Sequence, residues 1–177
     1  MLFDDLKSLK NQEKVSKNDI LKILKKWVKN ISVFDIMDSA NYSRDSFKYV
    51  QKEYQKHFEK IYIEDMTKYI QEISQSKLDY HDNVNKSTFL TAIDFFEKQE
   101  NAREEEYKEK YPKQSLIYYL MCIYTTFILD QPIHNTGSIF PGHTKIRYEN
   151  GTYYCPVKSN NTDNPKAVCR FCVAKQG

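Results

Sequence analysis

The chain contains no glycine and no proline before Pro112; all four glycines and all five prolines lie from there to Gly177. These are the two strongest punctuators of regular backbone, one through freedom at positive φ and the other through a missing N–H. The first 111 residues are therefore predicted to be helices joined by polar turns. Tight turns and short strands are confined to residues 112–177.

Within the breaker-free stretch the apolar residues keep helical spacing. Ser16-Lys17-Asn18-Asp19 opens the clearest helix with a start resembling a capping box. Ile20, Ile23, Leu24, Trp27, Val28 and Ile31 then recur on one face. A second periodic stretch runs through Phe47, Val50, Tyr54, Phe58 and Ile61 and on to Met66, Tyr69, Ile70 and Ile73. His57 lies on the edge of that face, where a hydrogen-bonded boundary histidine is the expectation. Residues 79–87 read as a turn, with Ser87 capping a helix whose core face is Leu90, Ile93 and Phe96. From Gln99 to Lys110 the pattern is polar all round, with Glu104–Lys108 and Glu106–Lys110 spaced as helical ion pairs.

Pro112 ends that helix, and Leu116 to Leu129 is apolar nearly all round. A helix without a polar face belongs in the middle of a core. The predicted fold is thus mostly α: a helical bundle around a central apolar helix, with a small C-terminal β-hairpin and cysteine tail. Residues 1–177 are read as one domain, with the bundle over 1–131 and the hairpin and metal-binding tail over 132–177.

Pro141-Gly142 suits a type II turn, and Asn150-Gly151 is the preferred pair for a two-residue hairpin loop. That loop would pair Glu149 with Thr152, Tyr148 with Tyr153, Arg147 with Tyr154 and Ile146 with Cys155. Three of the four cysteines lie at and beyond this hairpin: Cys155, then Cys169 and Cys172 in Cys-x-x-Cys spacing. Two thiolates so spaced reach one tetrahedral cation, and zinc takes about four such ligands. The fourth could come from His134, His143, Cys122 or Asp163. Cys122 sits inside the apolar helix and reads as core filler. Thiolate-rich sites usually finish with Cys or His rather than Asp. The hairpin register turns His143 away. His134, on the turn leaving the central helix, is the residue predicted to join Cys155, Cys169 and Cys172.

Charge is uneven along the chain. Residues 1–110 carry 20 Lys and Arg against 21 Asp and Glu, whereas 111–177 carry 7 against 3. Lys158, Lys166, Arg170 and Lys175 surround the thiols and favour thiolate over thiol. Scattered cations make only a slight case for nucleic acid; a protein partner is the other option. The acidic start Met1-Leu2-Phe3-Asp4-Asp5 is unlike a signal peptide, and no apolar run reaches ~18 residues. A cytoplasmic, reducing setting with no membrane contact is expected, where clustered cysteines favour metal or redox use over disulfides.

His134-Asn135-Thr136-Gly137, Phe140-Pro141-Gly142, Tyr153-Tyr154-Cys155-Pro156-Val157-Lys158, Asp163-Asn164-Pro165 and Cys169-Arg170-Phe171-Cys172-Val173-Ala174-Lys175-Gln176 together resemble an uncharacterised archaeal family. It is domain of unknown function family 2115, also termed uncharacterised protein family 0305. The resemblance is close over 134–176 and looser over the rest. It implies a helical archaeal cytoplasmic protein ending in this cysteine tail, and it implies no activity.

The residues themselves allow a structural zinc site of three Cys and one His on a small intracellular protein with a binding or structural role. The alternative is a redox protein using an iron–sulfur cluster or a Cys169/Cys172 dithiol. A zinc ribbon would carry a second Cys-x-x-Cys pair, and a redox dithiol would open a helix beside a βαβ unit; neither pattern is present. Hydrolytic metal catalysis ranks behind both, because three thiolates would leave bound water poorly acidified. Glycines only at 137, 142, 151 and 177 exclude a Gly-rich phosphate loop. Whether the chain catalyses any reaction is not specified by its sequence.

Overall fold

A computed structural model describes residues 1–177, except for the side chain of Phe47. The architecture is mostly α with a small β part at the C-terminal end. The helices are α1 (Leu2–Lys7), α2 (Lys17–Val28), α3 (Val33–Phe47), α4 (Lys52–Gln75), α5 (Lys86–Asn101), α6 (Glu105–Lys110), α7 (Gln114–Ile123) and α8 (Lys158–Asn161). A 3₁₀ turn, Ser8–Asn11, succeeds α1, and a π-helical turn, Tyr124–Ile128, extends α7. No described helix is long and apolar enough to cross a membrane.

The expected hub is α7 with its π turn. Ile117, Leu120, Cys122 and Ile123 are buried among Leu6, Leu24, Ile73, Ile93 and Phe96 from α1, α2, α4 and α5. α2, α3 and α4 all pack against α7. Each residue buried here contributes by removing apolar area from water, at about 25 cal/mol per Å². The Thr125 hydroxyl, fully buried, donates back to the Met121 carbonyl at 2.9 Å. At the wide turn the Leu129 N–H reaches the Tyr124 carbonyl at 3.0 Å. Such single π turns insert one extra residue per turn and re-aim the side chains around them.

Local signals behave as their chemistry dictates. Ser16 caps α2, its hydroxyl accepting from the Asp19 N–H at 3.1 Å. The cap of α5 is Asn85, not Ser87: the Thr88 N–H donates to Asn85 Oδ1 at 2.9 Å. The second periodic stretch divides, because α3 ends at Phe47 and α4 starts at Lys52. Of that stretch, Phe47's side chain lies outside the described residues, while Tyr54, Met66, Tyr69, Ile70 and Ile73 are buried. The polar run after Gln99 also divides into α5 and the short α6. Lys108 there pairs with Glu105 at 2.8 Å and Lys110 with Asp45 at 3.0 Å, rather than with the spaced glutamates.

The tail forms β1 (Ile139–Phe140), β2 (Thr144–Lys145), β3 (Arg147–Glu149), β4 (Thr152–Cys155) and β5 (Lys175–Gln176). The β3–β4 hairpin has the predicted pairs Arg147–Tyr154, Tyr148–Tyr153 and Glu149–Thr152. Asn150 and Gly151 both take positive φ, 49° and 77°, as a type I′ loop requires. Gly142 likewise supplies the positive φ of the Pro141-Gly142 turn. The predicted strand does not run on through Ile146. Ile146 is 1% exposed, its N–H goes to the Ser138 carbonyl and its own carbonyl accepts from Gly137. The residues before it pair back with β1. β5 then adds in parallel to β4, with Tyr154 opposite Lys175 and Cys155 opposite Gln176.

Phe140, Ile146, Cys155 and Ala174 make a second, smaller apolar cluster, joined by Phe58, Tyr153, Val157 and Cys172. It sits on α4: Phe58 meets Phe140 edge-on at 6.1 Å, and His57 Nε2 accepts the Ile139 N–H at 3.4 Å. That contact is the boundary-histidine role expected for His57.

Candidate functional site

Four free cysteines are present, two of them buried. Cys155 ends β4 and lies in the small cluster with Cys172 packed against it. Cys169 and Cys172 flank a tight turn in which the Cys172 N–H reaches the Cys169 carbonyl at 3.2 Å. Side chains named in the tail motif hold this turn in place. Lys158 donates to the Cys172 carbonyl at 2.8 Å and to that of Ala174. Gln176 accepts from the Ser159 N–H at 2.7 Å and donates to the Pro156 carbonyl at 3.0 Å. The Cys155–Lys158 and Cys172–Gln176 segments are thereby sewn to each other, although sixteen residues separate Cys155 and Cys172.

Burial is the largest influence on the titration of three of the four thiols. Burial raises the pKa of Cys155, a Val157 N–H opposes this, and charge on Cys172 adds to the rise. Burial also raises Cys169, with smaller additions from charge on Cys172 and then on Cys155, and Lys158 acts in the opposite sense. Cys122 rises well above an ordinary thiol through burial, is lowered by a bond to the Tyr118 hydroxyl, and rises again through Cys172 and Cys169. Among the described residues, no three Cys, His, Asp or Glu side chains are placed to hold one metal ion.

The other candidate ligands surround this cluster at different depths. His134 is exposed and meets the Phe140 ring edge-on at 5.4 Å. It borders the small cluster through Phe140. His143 sits on the β1–β2 turn at positive φ and faces Tyr54 at 6.1 Å. Asp163 is exposed after α8. Of the four cations around the tail, Lys158 is engaged with backbone carbonyls, and Arg170 lies over the Phe95 ring at 4.6 Å.

Two features were not legible in the sequence. One is a cleft of about 710 Å³ between α3, α4, α5 and α7, lined by Tyr42, Tyr62, Tyr118, Tyr119, Arg103 and Gln114 among others. Arg103 Nη1 donates to the Ser115 hydroxyl at 2.6 Å, while its Nη2 is buried without a partner. Reading 116–129 as apolar all round hid that two tyrosines of the hub line an opening. The other is Asp65, buried on α4 with its pKa pushed up to about 6 by desolvation. Only its tertiary surroundings single it out from the other helical carboxylates.

Residues 16–177 match the family described as an uncharacterised protein conserved in archaea, DUF2115. The chain belongs to this family. A UPF0305 protein of Methanothermobacter thermautotrophicus is 32% identical over 157 residues, covering 89% of this chain and 94% of that one. A UPF0305 protein of Methanocaldococcus jannaschii is 31% identical over 166 residues, with the same coverage. No solved structure matches the chain. The family's description carries no activity, so function rests on the geometry above.

Proposed function

We propose that this is a small cytoplasmic protein with a structural or binding role, whose C-terminal segment is fastened by a metal bound to Cys155, Cys169 and Cys172. The observation that carries the reading is the meeting of thiols from separate stretches. Cys155 comes from a strand end and Cys172 from a turn, the two share one apolar cluster, and Cys169 stands at the other end of the Cys172 turn. The small cluster has few buried side chains, and a bound metal would supply folding free energy that it lacks. Zinc, one per chain, is the first assignment, because it accepts thiolates with a neutral histidine in a closed tetrahedral site. The fourth position has two candidates, His134 beside Phe140 and Cys122 on α7.

An iron–sulfur cluster is the second reading. It is supported by the four free cysteines of the chain, the usual complement for such a cluster. A metal-free Cys169/Cys172 dithiol has less support. Burial raises the Cys169 pKa, which lowers the thiolate fraction that exchange chemistry needs.

The test is limited proteolysis of the anaerobically purified chain with and without a chelator. Cleavage after Tyr148 should accelerate several-fold once metal is withdrawn and slow again when zinc is restored. Identical cleavage in all three conditions would overturn the reading.

A further inference from the structure

We propose that the cleft between α3, α4, α5 and α7 binds a small planar molecule carrying one anionic group, with Arg103 and Ser115 as its anion anchor. None of this depends on a metal in the tail.

The cleft follows from where α5 stops. That helix ends at Asn101, and the turn through Ala102 and Arg103 leads into α6. α6 carries Tyr107 to within 5.9 Å of Tyr42 on α3, edge-on. α3 presents a small residue on this side, the buried Ser43, so the space between the helices stays open. Tyr62 of α4 and Tyr118 and Tyr119 of α7 supply the walls, with Phe95 of α5. The tail adds a lip: Gln99 Nε2 donates to the Pro165 carbonyl at 2.8 Å, which leaves Lys166 at the edge. A volume of about 710 Å³ suits one small molecule, and such sites are mostly apolar with a few convergent polar groups. Six aromatic rings around one opening favour a flat ligand, because rings pair offset or edge-on.

The polar groups converge at one place. Arg103 Nη1 donates to Ser115 Oγ at 2.6 Å and to Glu100 at 3.2 Å. Its Nη2 is buried with no partner among the described residues, an uncommon state for a group that can only donate. The Ser115 oxygen accepts from Arg103, so its own proton is left to give. A carboxylate, sulfonate or phosphate oxygen at this contact takes that proton's bond, and a small turn of the guanidinium brings Nη2 to it. Lys98 and Lys166 add positive charge at the rim, against Glu104 there and Glu100 on Arg103 itself. Three cations thus stand against two carboxylates, and the surplus favours an anion.

The probe is anilinonaphthalene sulfonate, a flat anion that fluoresces in apolar surroundings, beside phenylnaphthylamine, the same ring system without the sulfonate. Titrated into the full-length chain, the anion should saturate at one per chain and bind about tenfold more tightly than the neutral dye, the worth of one charge-assisted hydrogen bond. Ala102→Phe, at an exposed position on the cleft wall, should block both dyes without touching the core. Arg103→Gln should bring the anion down to the affinity of the neutral dye and leave the neutral dye unchanged. Phe34→Ser, on the exposed apolar patch that opens α3, should alter neither. Absence of saturable binding, equal affinity of the parent for the two dyes, parent-like binding in Ala102→Phe, or loss of binding in Phe34→Ser would each overturn the inference. The parent and Ala102→Phe decide the matter even where Arg103→Gln does not fold.

Discussion

The Tyr69 hydroxyl donates to Asn135 Oδ1 at 3.0 Å, binding the middle of α4 to the turn that leaves the hub. Asn135 in turn donates through its amide nitrogen to Asp65, one turn earlier on α4. A single side chain of the His134-Asn135-Thr136-Gly137 stretch thus satisfies a buried hydroxyl and a buried carboxyl. Asn135→Ala should cost about 2 kcal/mol, since it leaves both groups without a partner. Urea denaturation of the variant beside the parent measures it, and an unchanged midpoint would count against this role.

Asp65 makes that stability depend on pH. Desolvation pushes its folded pKa up to about 6 from the ordinary value of 3.8. A carboxyl raised on folding favours the folded state fully below the lower value, and that contribution is lost as pH rises through the upper one. Passing from pH 4 to pH 7 should therefore remove up to about 3 kcal/mol from this group. Asp65→Asn keeps an acceptor for Asn135 and should abolish this component. The comparison is the pH slope of unfolding free energy in the two proteins. Equal slopes would contradict the assignment.

Lys17 gives the opposite arrangement, a buried cation with exposed partners. Its ammonium reaches Asp82 at 2.8 Å and Asp130 at 2.5 Å, linking α2 to the loop before α5 and to the end of the hub. Burial alone would lower its pKa, but bonds to Asp130 and Asp82 outweigh that and raise it. Its contribution is present through neutral pH and is lost only as pH rises through the raised value. Lys17→Met should cost about 1 kcal/mol, because the carboxylates stay hydrated. The double variant Asp82→Asn, Asp130→Asn should lose more, because it strands the buried ammonium. Thermal melts in the reverse order would refute this.

Gly151 takes φ of 77° in the β3–β4 loop, with open space where a Cβ would stand. Strain rather than collision would penalise Gly151→Ala, by about 1 kcal/mol. Proteolysis of the tail should quicken accordingly, while the helical signal in circular dichroism stays at the parent level.

How far the sequence reaches differs between elements. The hub is legible because Leu116–Leu129 offers no polar face, and the hairpin register because Asn150-Gly151 permits one loop geometry. α3 escapes notice because Ser39, Ala40 and Ser43 are what it buries, and small polar residues give no apolar stripe. The strand break at Ile146 is invisible because an isoleucine inside a strand pattern looks the same whether it pairs or turns inward. At the site, the three tail cysteines are readable from spacing. The seating of Phe171 on Phe95 and Phe96 is not, since spacing along the chain cannot show where the tail lands on the bundle. The same limit hides the cleft and the burial of Asp65.

Whether the tail thiols hold a metal is decided by elemental analysis of the anaerobically purified parent beside the triple variant Cys155→Ser, Cys169→Ser, Cys172→Ser. Close to one zinc per parent chain is expected, or iron with sulfide in the second reading, and none in the variant. Equal trace amounts in both proteins would contradict metal binding and leave the cysteines as packing.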